Sequence, residues 1–182
     1  MSDGMNSVQN VLIVGCGDIG VRVARLMRAT PADVSAVARS RSSAERLAGF
    51  GILPVSADLD KVDTLLSLPV AGKLVFYMAP PPGGGPIDSR MRNFCSATGA
   101  GQAPAKVVYI STSGVYGDCG GDLVDEQTPV DPQTSRAKRR VDAEGCLTEW
   151  GRRLGVPMVI LRVTGIYGPG RLPIARIREG HP

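Results

Sequence analysis

The stretch "NVLIVGCGDIGVRVARLMRA", Asn10–Ala29, decides the fold. "NVLIVG" (Asn10–Gly15) is continuous, apolar and largely β-branched, the pattern of a strand buried on both faces. "IGVRVARLMRA" (Ile19–Ala29) then takes up helical spacing, with Val23, Leu26 and Met27 predicted on one face. Between them "GCGDIG" sets Gly15, Gly17 and Gly20 in a G-x-G-x-x-G pattern. Alone that pattern is weak; with a strand before it and a helix after it, it reads as a phosphate loop. Gly15 permits the tight turn, Gly17 lets the backbone approach a pyrophosphate, and Gly20 lets the helix pack closely on the sheet. Helix N-terminal amides then face the phosphates, so the candidate contacts are Gly15, Gly17, Asp18, Ile19 and Gly20.

Outward from this unit the pattern repeats. Further strands are predicted at Val34–Arg39, Ile52–Asp58, Lys73–Ala79, Lys106–Ser111 and Pro157–Val163. Helices are predicted at Ser43–Gly51, Lys61–Leu68, Ile87–Thr98 and about Thr134–Leu154. Apolar strands separated by helices imply a parallel sheet covered on both faces, with right-handed crossovers. The fold class is therefore α/β, a Rossmann-type doubly wound parallel sheet over residues 10–182, preceded by a flexible polar tail at 1–9. "PPPGGGP" (Pro80–Pro86) reads as a biased loop, not a domain linker.

The end of the second strand reads the ribose of a dinucleotide. A carboxylate there accepts the 2′-hydroxyl of NAD. This chain has Arg39, Ser40 and Arg41 instead, and guanidinium and hydroxyl groups suit a 2′-phosphate. The expectation is NADP in preference to NAD, against the plainer reading of a solvated basic turn. Asp58, with Leu59 beside it, is placed either at the adenine edge or as a helix cap, and Ala79 ends the fourth strand facing the cofactor.

Composition bounds the rest. The chain has 182 residues, 43% hydrophobic, and a net charge of +4. That suits one soluble domain and does not point to nucleic acid. Cys16, Cys95, Cys119 and Cys146 stand far apart in sequence, with no metal-ligand or C-x-x-C spacing; four reduced thiols in a cytoplasmic protein are expected. No apolar run approaches the roughly 18 residues of a membrane span. Homo-oligomerisation is left open.

"YISTSGVYGD" (Tyr109–Asp118) and "LRVTGIYGPG" (Leu161–Gly170), with the glycine loop and "ADLD" (Ala57–Asp60), resemble the extended short-chain dehydrogenase/reductase superfamily. The nearest group is the NAD(P)-dependent epimerase/dehydratase proteins acting on nucleotide sugars, and the form of the glycine loop resembles atypical members. The resemblance implies a hydrogen-bonding role at the reacting centre for Thr112, with Ser113 a neighbouring candidate. Sugar-nucleotide dehydratases carry an acid pair just after this Thr; Ser113 and Gly114 stand there, so the resemblance does not extend to that mechanism.

The family's main catalytic pair is Y-x-x-x-K on the next helix, where lysine and the nicotinamide lower the phenol pKa for proton transfer. Lys138 matches the lysine, but Thr134 stands at the tyrosine position. An aliphatic hydroxyl is far less acidic than a phenol. Lys138 is expected either to hold the nicotinamide ribose or to be solvated, and His181 is not expected to act. The resemblance also implies a C-terminal substrate-binding portion that this chain largely lacks. Two functions follow: an NAD(P)-dependent oxidoreductase or epimerase of the nucleotide-sugar type, or a noncatalytic dinucleotide-binding or regulatory module.

Overall fold

The computed structural model describes residues 10–169, 171–172 and 174–180. The predicted tail at 1–9 and His181 lie outside these residues. Six strands are β1 (Asn10–Val14), β2 (Asp33–Ala38), β3 (Leu53–Ser56), β4 (Leu74–Tyr77), β5 (Lys106–Thr112) and β6 (Met158–Val163). All pair in parallel, in the spatial order β3-β2-β1-β4-β5-β6. The chain winds outward from β1 to β3, returns to β4 on the other side of β1, and continues to β6. The order thus reverses between β1 and β4, and the crevice outside the carboxyl ends of strands at such a switch point is where open α/β sheets bind ligands.

Helices α1 (Asp18–Arg28), α2 (Arg41–Gly49), α3 (Ser89–Ala97), α4 (Ser135–Leu154) and α5 (Ile174–Arg178) make the crossovers and the final turn. The unbroken apolar run of β1 has a physical cause: Leu12 and Val14 face one core, Val11 and Ile13 the other. The first core joins β4 and β5 to α3 and α4 through Tyr77, Tyr109, Phe94 and Trp150. Their rings meet edge-on or tilted, with centroids 5.3 to 6.0 Å apart, within the favoured range for aromatic pairs. The Trp150 indole donates to the Thr98 carbonyl at 2.9 Å, which gives this packing residue its polar partner. The second core joins β1 and β2 to Val21 and Ala24 of α1 and Leu47 of α2. No helix among the described residues is long and apolar enough to cross a membrane.

Two expectations are corrected. The inner face of α1 is Gly20, Val21 and Ala24, with Val23 and Met27 packed beside it, whereas Leu26 is 71% exposed. Close seating of Gly20 on the sheet phases the helix, and at 100° per residue Leu26 falls on the far side from Ala24. The segment after β3 forms only a 3-10 turn, Val62–Leu65. Cys95 and Cys146, distant in sequence, line one cleft where α3 packs on α4, and all four cysteines are free thiols.

Candidate functional site

The turn after β1 is built around its glycines. Gly15 has φ +91°, and a Cβ there would overlap the backbone of Ala79 just beyond β4, so only glycine allows β1 and β4 to lie this close. Gly17 caps α1 in an extended conformation, and a Cβ on it would meet nothing within 4 Å. The space before the helix amides is therefore open, and it fits a phosphate group. A Cβ on Gly20 would stand 3.2 Å from Cys16 Sγ and 3.3 Å from Ile13 Cγ2, so α1 is seated tightly against the sheet there. Asp18, exposed in the first turn, binds Arg171 at 2.9 Å and Arg22 at 3.2 Å. These two hydrogen bonds, Arg171 first, hold its carboxyl below the usual carboxylate range. Ile19 is half-buried in the same turn.

Beside this loop lies a pocket of about 120 Å³, lined by Gly15, Val37, Arg39, Asp58, Leu59 and Arg90 among others. Its charges are ordered. Arg90, from the first turn of α3, grips Asp60 at 2.8 and 2.7 Å and donates to the Pro80 carbonyl at 3.2 Å. The Arg90 hydrogen bond pulls the Asp60 carboxyl below its ordinary pKa, with a smaller contribution from Arg39. Asp58 accepts from the Asp60 amide at 3.0 Å, and the Leu59 carbonyl accepts from Asn93 at 2.8 Å.

Of the basic turn after β2, only Arg39 lines this pocket. The Ser40 hydroxyl is the N-cap of α2 in a capping box with Ser43, and Arg41 pairs with Glu45 at 2.9 Å along the same helix.

The ends of β5 and β6 form a second region. The Thr112 hydroxyl accepts from the Gly114 amide at 3.2 Å and caps the short turn Ser113–Tyr116. Ser113, Tyr116, Asp125, Leu161 and Arg162 line a cleft of about 520 Å³. Its wall is held by one network. Arg162 donates to Glu144 at 2.9 Å and to the Tyr116 hydroxyl at 3.0 Å, and its guanidinium lies 5.0 Å over the Tyr116 ring. Ser111 donates to the same Glu144 carboxylate, and the Tyr116 hydroxyl donates to the Asp125 carbonyl at 2.8 Å.

Thr134 caps α4, its hydroxyl accepting from the Ala137 amide at 3.1 Å. Lys138 is exposed, on a different face from the sheet-facing stripe of Ala137, Arg140 and Glu144. Arg140 is the basic residue turned inward: its guanidinium donates to the Tyr109 hydroxyl at 3.0 Å and to the Ile110 carbonyl at 2.9 Å. Burial pushes the Tyr109 phenol up to about 12, against the pull of Arg140, so Tyr109 is a core residue in chemistry as well as position. Arg139 donates to the Gly84 and Gly85 carbonyls at 3.2 and 2.7 Å, which ties the "PPPGGGP" loop to the start of α4.

Arg90, Arg140 and Glu144 were not marked by any motif, and Arg162, inside "LRVTGIYGPG", was given no role. The signal for Arg140 was present but unphased, since "AKRR" offers three basic residues and only the helix rotation selects the buried one.

The sequence profile of the NAD dependent epimerase/dehydratase family matches residues 89–180, half of the chain. The chain belongs to that family. The β1–β4 half of this family member, residues 11–76, also matches the TrkA-N domain. Escherichia coli (strain K12) Protein YeeZ is 28% identical over 179 residues, covering 91% of this chain and 62% of that protein. Mouse dTDP-D-glucose 4,6-dehydratase is 34% identical over 68 residues, 37% of this chain and 19% of the enzyme. Bacillus cereus UDP-glucuronic acid 4-epimerase, solved in complex with NAD, superposes with a TM-score of 0.72 at 20% identity, over 95% of this chain and 64% of the epimerase. That likeness is one of fold. The chain thus spans less than two thirds of the length of each of these relatives.

Proposed function

We propose that this chain binds NADP(H) as an oxidoreductase of the nucleotide-sugar epimerase/dehydratase type, acting in the cytoplasm. The observation that carries the reading is the juxtaposition of the open space at Gly17 with the Arg39-lined pocket beside it. The pyrophosphate would lie against the amides at the start of α1. The adenine would enter between Gly15, Asp58 and Leu59. Asp60 is held by Arg90, and Arg39 lines the pocket outside that ion pair, where it would meet a 2′-phosphate. That balance supports NADP(H) over NAD(H). The B. cereus epimerase binds NAD on the same fold, so NAD(H) is the weaker ligand in this proposal, not an excluded one.

Bound there, the nicotinamide supplies reversible hydride acceptance. The chain's own groups would orient a sugar hydroxyl: Thr112 and Ser113 by hydrogen bonds, Lys138 through the nicotinamide ribose. Proton removal is the weak step, because Thr134 is not an acid near neutral pH and its hydroxyl is already used as a helix cap. That capping bond favours a second reading, a noncatalytic dinucleotide-binding or regulatory module.

Calorimetric titration with NADPH and NADH tests the first part. A charge-assisted hydrogen bond contributes roughly 1.5–3 kcal/mol, about a ten- to hundredfold preference for NADPH. Arg39→Ala should abolish the preference while NADH affinity stays unchanged. Equal affinities in the unmutated chain would remove the 2′-phosphate assignment. A screen of nucleotide sugars at the nicotinamide absorbance separates the two readings, because hydride transfer to any of them excludes the noncatalytic one.

A further inference from the structure

Away from the dinucleotide pocket, a cleft of about 390 Å³ opens on the outer side of the α3–α4 pair, lined by Arg92, Cys95, Ser96, Cys146, Glu149 and Arg153 among others. It holds two thiols from different helices, 95 on α3 and 146 on α4. We propose that Cys95 and Cys146 form a peroxide-responsive dithiol site that closes to a disulfide across α3 and α4.

Three features support this. First, the two thiols line the same cleft where α3 packs on α4. Second, the two are unequal. Cys95 is 7% exposed and packs in the core, whereas Cys146 is half-buried at its edge, on the side open to the cleft. Third, Arg92 and Arg153 line the cleft with Glu149, Arg92 being paired with Asp142. Its neighbour Cys95 and then the charge of Arg92 draw the Cys146 thiol below its ordinary pKa, against its partial burial and the charges of Asp142 and Asp88, while Cys146 and burial push Cys95 up. Thiolate character and access are what make a cysteine react with peroxide.

The division of labour follows. The Cys146 thiolate attacks one oxygen of hydrogen peroxide, the O–O bond breaks, and the departing hydroxide takes a proton to leave as water. Cys146 is then a sulfenic acid. The Cys95 thiol gives up its proton and attacks the sulfenic sulfur, the S–O bond breaks, and a second water leaves. Two thiols are oxidised to one disulfide, and one peroxide is reduced to two waters. Neither of the other cysteines has this arrangement: Cys16 is buried in the glycine loop, and Cys119 is half-exposed with its sulfur on the Tyr116 carbonyl at 3.7 Å.

The test uses the full chain, fully reduced and then treated with hydrogen peroxide, alkylated and mapped by mass spectrometry. The expected product has lost two hydrogens, yields a linked peptide joining Cys95 to Cys146, and leaves Cys16 and Cys119 alkylated. In Cys95→Ser the sulfenic acid should persist and be trapped by dimedone on Cys146; in Cys146→Ser the linked peptide is lost. The same reaction in urea should be about tenfold slower or more, because the fold sets the approach of the two sulfurs. First oxidation at Cys119, a disulfide with another pairing, or an equal rate in urea would each overturn the proposal. The mapping of the unmutated chain decides this even where a serine variant fails to fold.

Discussion

Glu144 and Arg162 form an ion pair of 2.9 Å in which the carboxylate side chain is 7% exposed and the guanidinium 23%. The pair bolts α4 to β6. Through Ser111 and Tyr116 it also holds β5 and the turn that carries Ser113. Removing one partner of such a pair leaves a buried charge with no counterion. Glu144→Ala is therefore expected to cost about 3–5 kcal/mol, measured by urea unfolding. The double variant Glu144→Leu, Arg162→Met should be less destabilised than either single one. If Glu144→Ala unfolds at the same urea concentration as the unmutated chain, the pair has no structural role.

The glycine loop gives two substitutions with opposite consequences. Gly17→Val points into open space, so the chain should fold with an unchanged melting temperature and lose NADPH binding. Gly15→Ala collides with the Ala79 backbone at a positive φ, so it should lower stability first, by the roughly 1 kcal/mol or more of a strained left-handed residue. Thermal melts and calorimetry on both variants separate the effects. A Gly17→Val protein that folds and binds NADPH normally would mean that the phosphates lie elsewhere.

What was readable from sequence and what was not divide along a physical line. The alternation of strands and helices and the turn glycines Gly15, Gly17 and Gly20 were legible because they rest on local patterns: runs of β-branched residues, helical spacing, and glycine where a turn demands it. The pairing of Arg90 with Asp60 spans 30 residues and depends on how α3 docks, so nothing local announces it. The same holds for Cys95 with Cys146 and for Arg162 with Glu144. The α1 face was misjudged because hydrophobicity marked Leu26, whereas Gly20, which has no side chain to count, sets the rotation of the helix. Arg39 was legible as the residue at the end of the second strand, where it lines the pocket. Ser40 and Arg41, its neighbours, were not separable from it until the capping box and the Glu45 pair were seen.

Asp142 gives a pH-dependent prediction. Burial pushes its carboxyl up, but the Arg92 hydrogen bond and the Asp88 amide outweigh this, and its pKa lies below the ordinary value. A depressed folded pKa contributes stability above the unfolded value of about 3.9, and that contribution disappears as the pH falls through the folded pKa. Asp142→Asn keeps an acceptor for the Asp88 amide and removes the charge. Arg92 is 53% exposed, so the gap at pH 7 should be modest, about 1 kcal/mol. It should shrink toward zero in acid below the ordinary aspartate range. A gap that stays constant between neutral and acid pH would show that the charge of Asp142 is not what stabilises the α3–α4 contact.

Thr134 is where the family's chemistry and the fold's needs compete. Its hydroxyl accepts from the Ala137 amide and so satisfies one of the free donors at the start of a 20-residue helix. A tyrosine there could not make that bond. Thr134→Ala should cost about 1 kcal/mol of unfolding free energy, Thr134→Ser a few tenths at most. Neither should change NADPH affinity, because the cap lies outside the pocket lined by Gly15, Arg39 and Asp58. Thr134→Tyr should lose the cap as fully as alanine does. Its phenol should titrate below the usual value of about 10 only where the Lys138 ammonium stands beside it. Ultraviolet difference titration of Thr134→Tyr, alone and with Lys138→Met, reads this directly. A phenol lowered by Lys138 places the two residues on one working face, as the four-residue spacing requires of a proton-transfer pair. A phenol that ignores Lys138, together with the stability loss of Thr134→Ala, would leave Thr134 as a helix cap and nothing more.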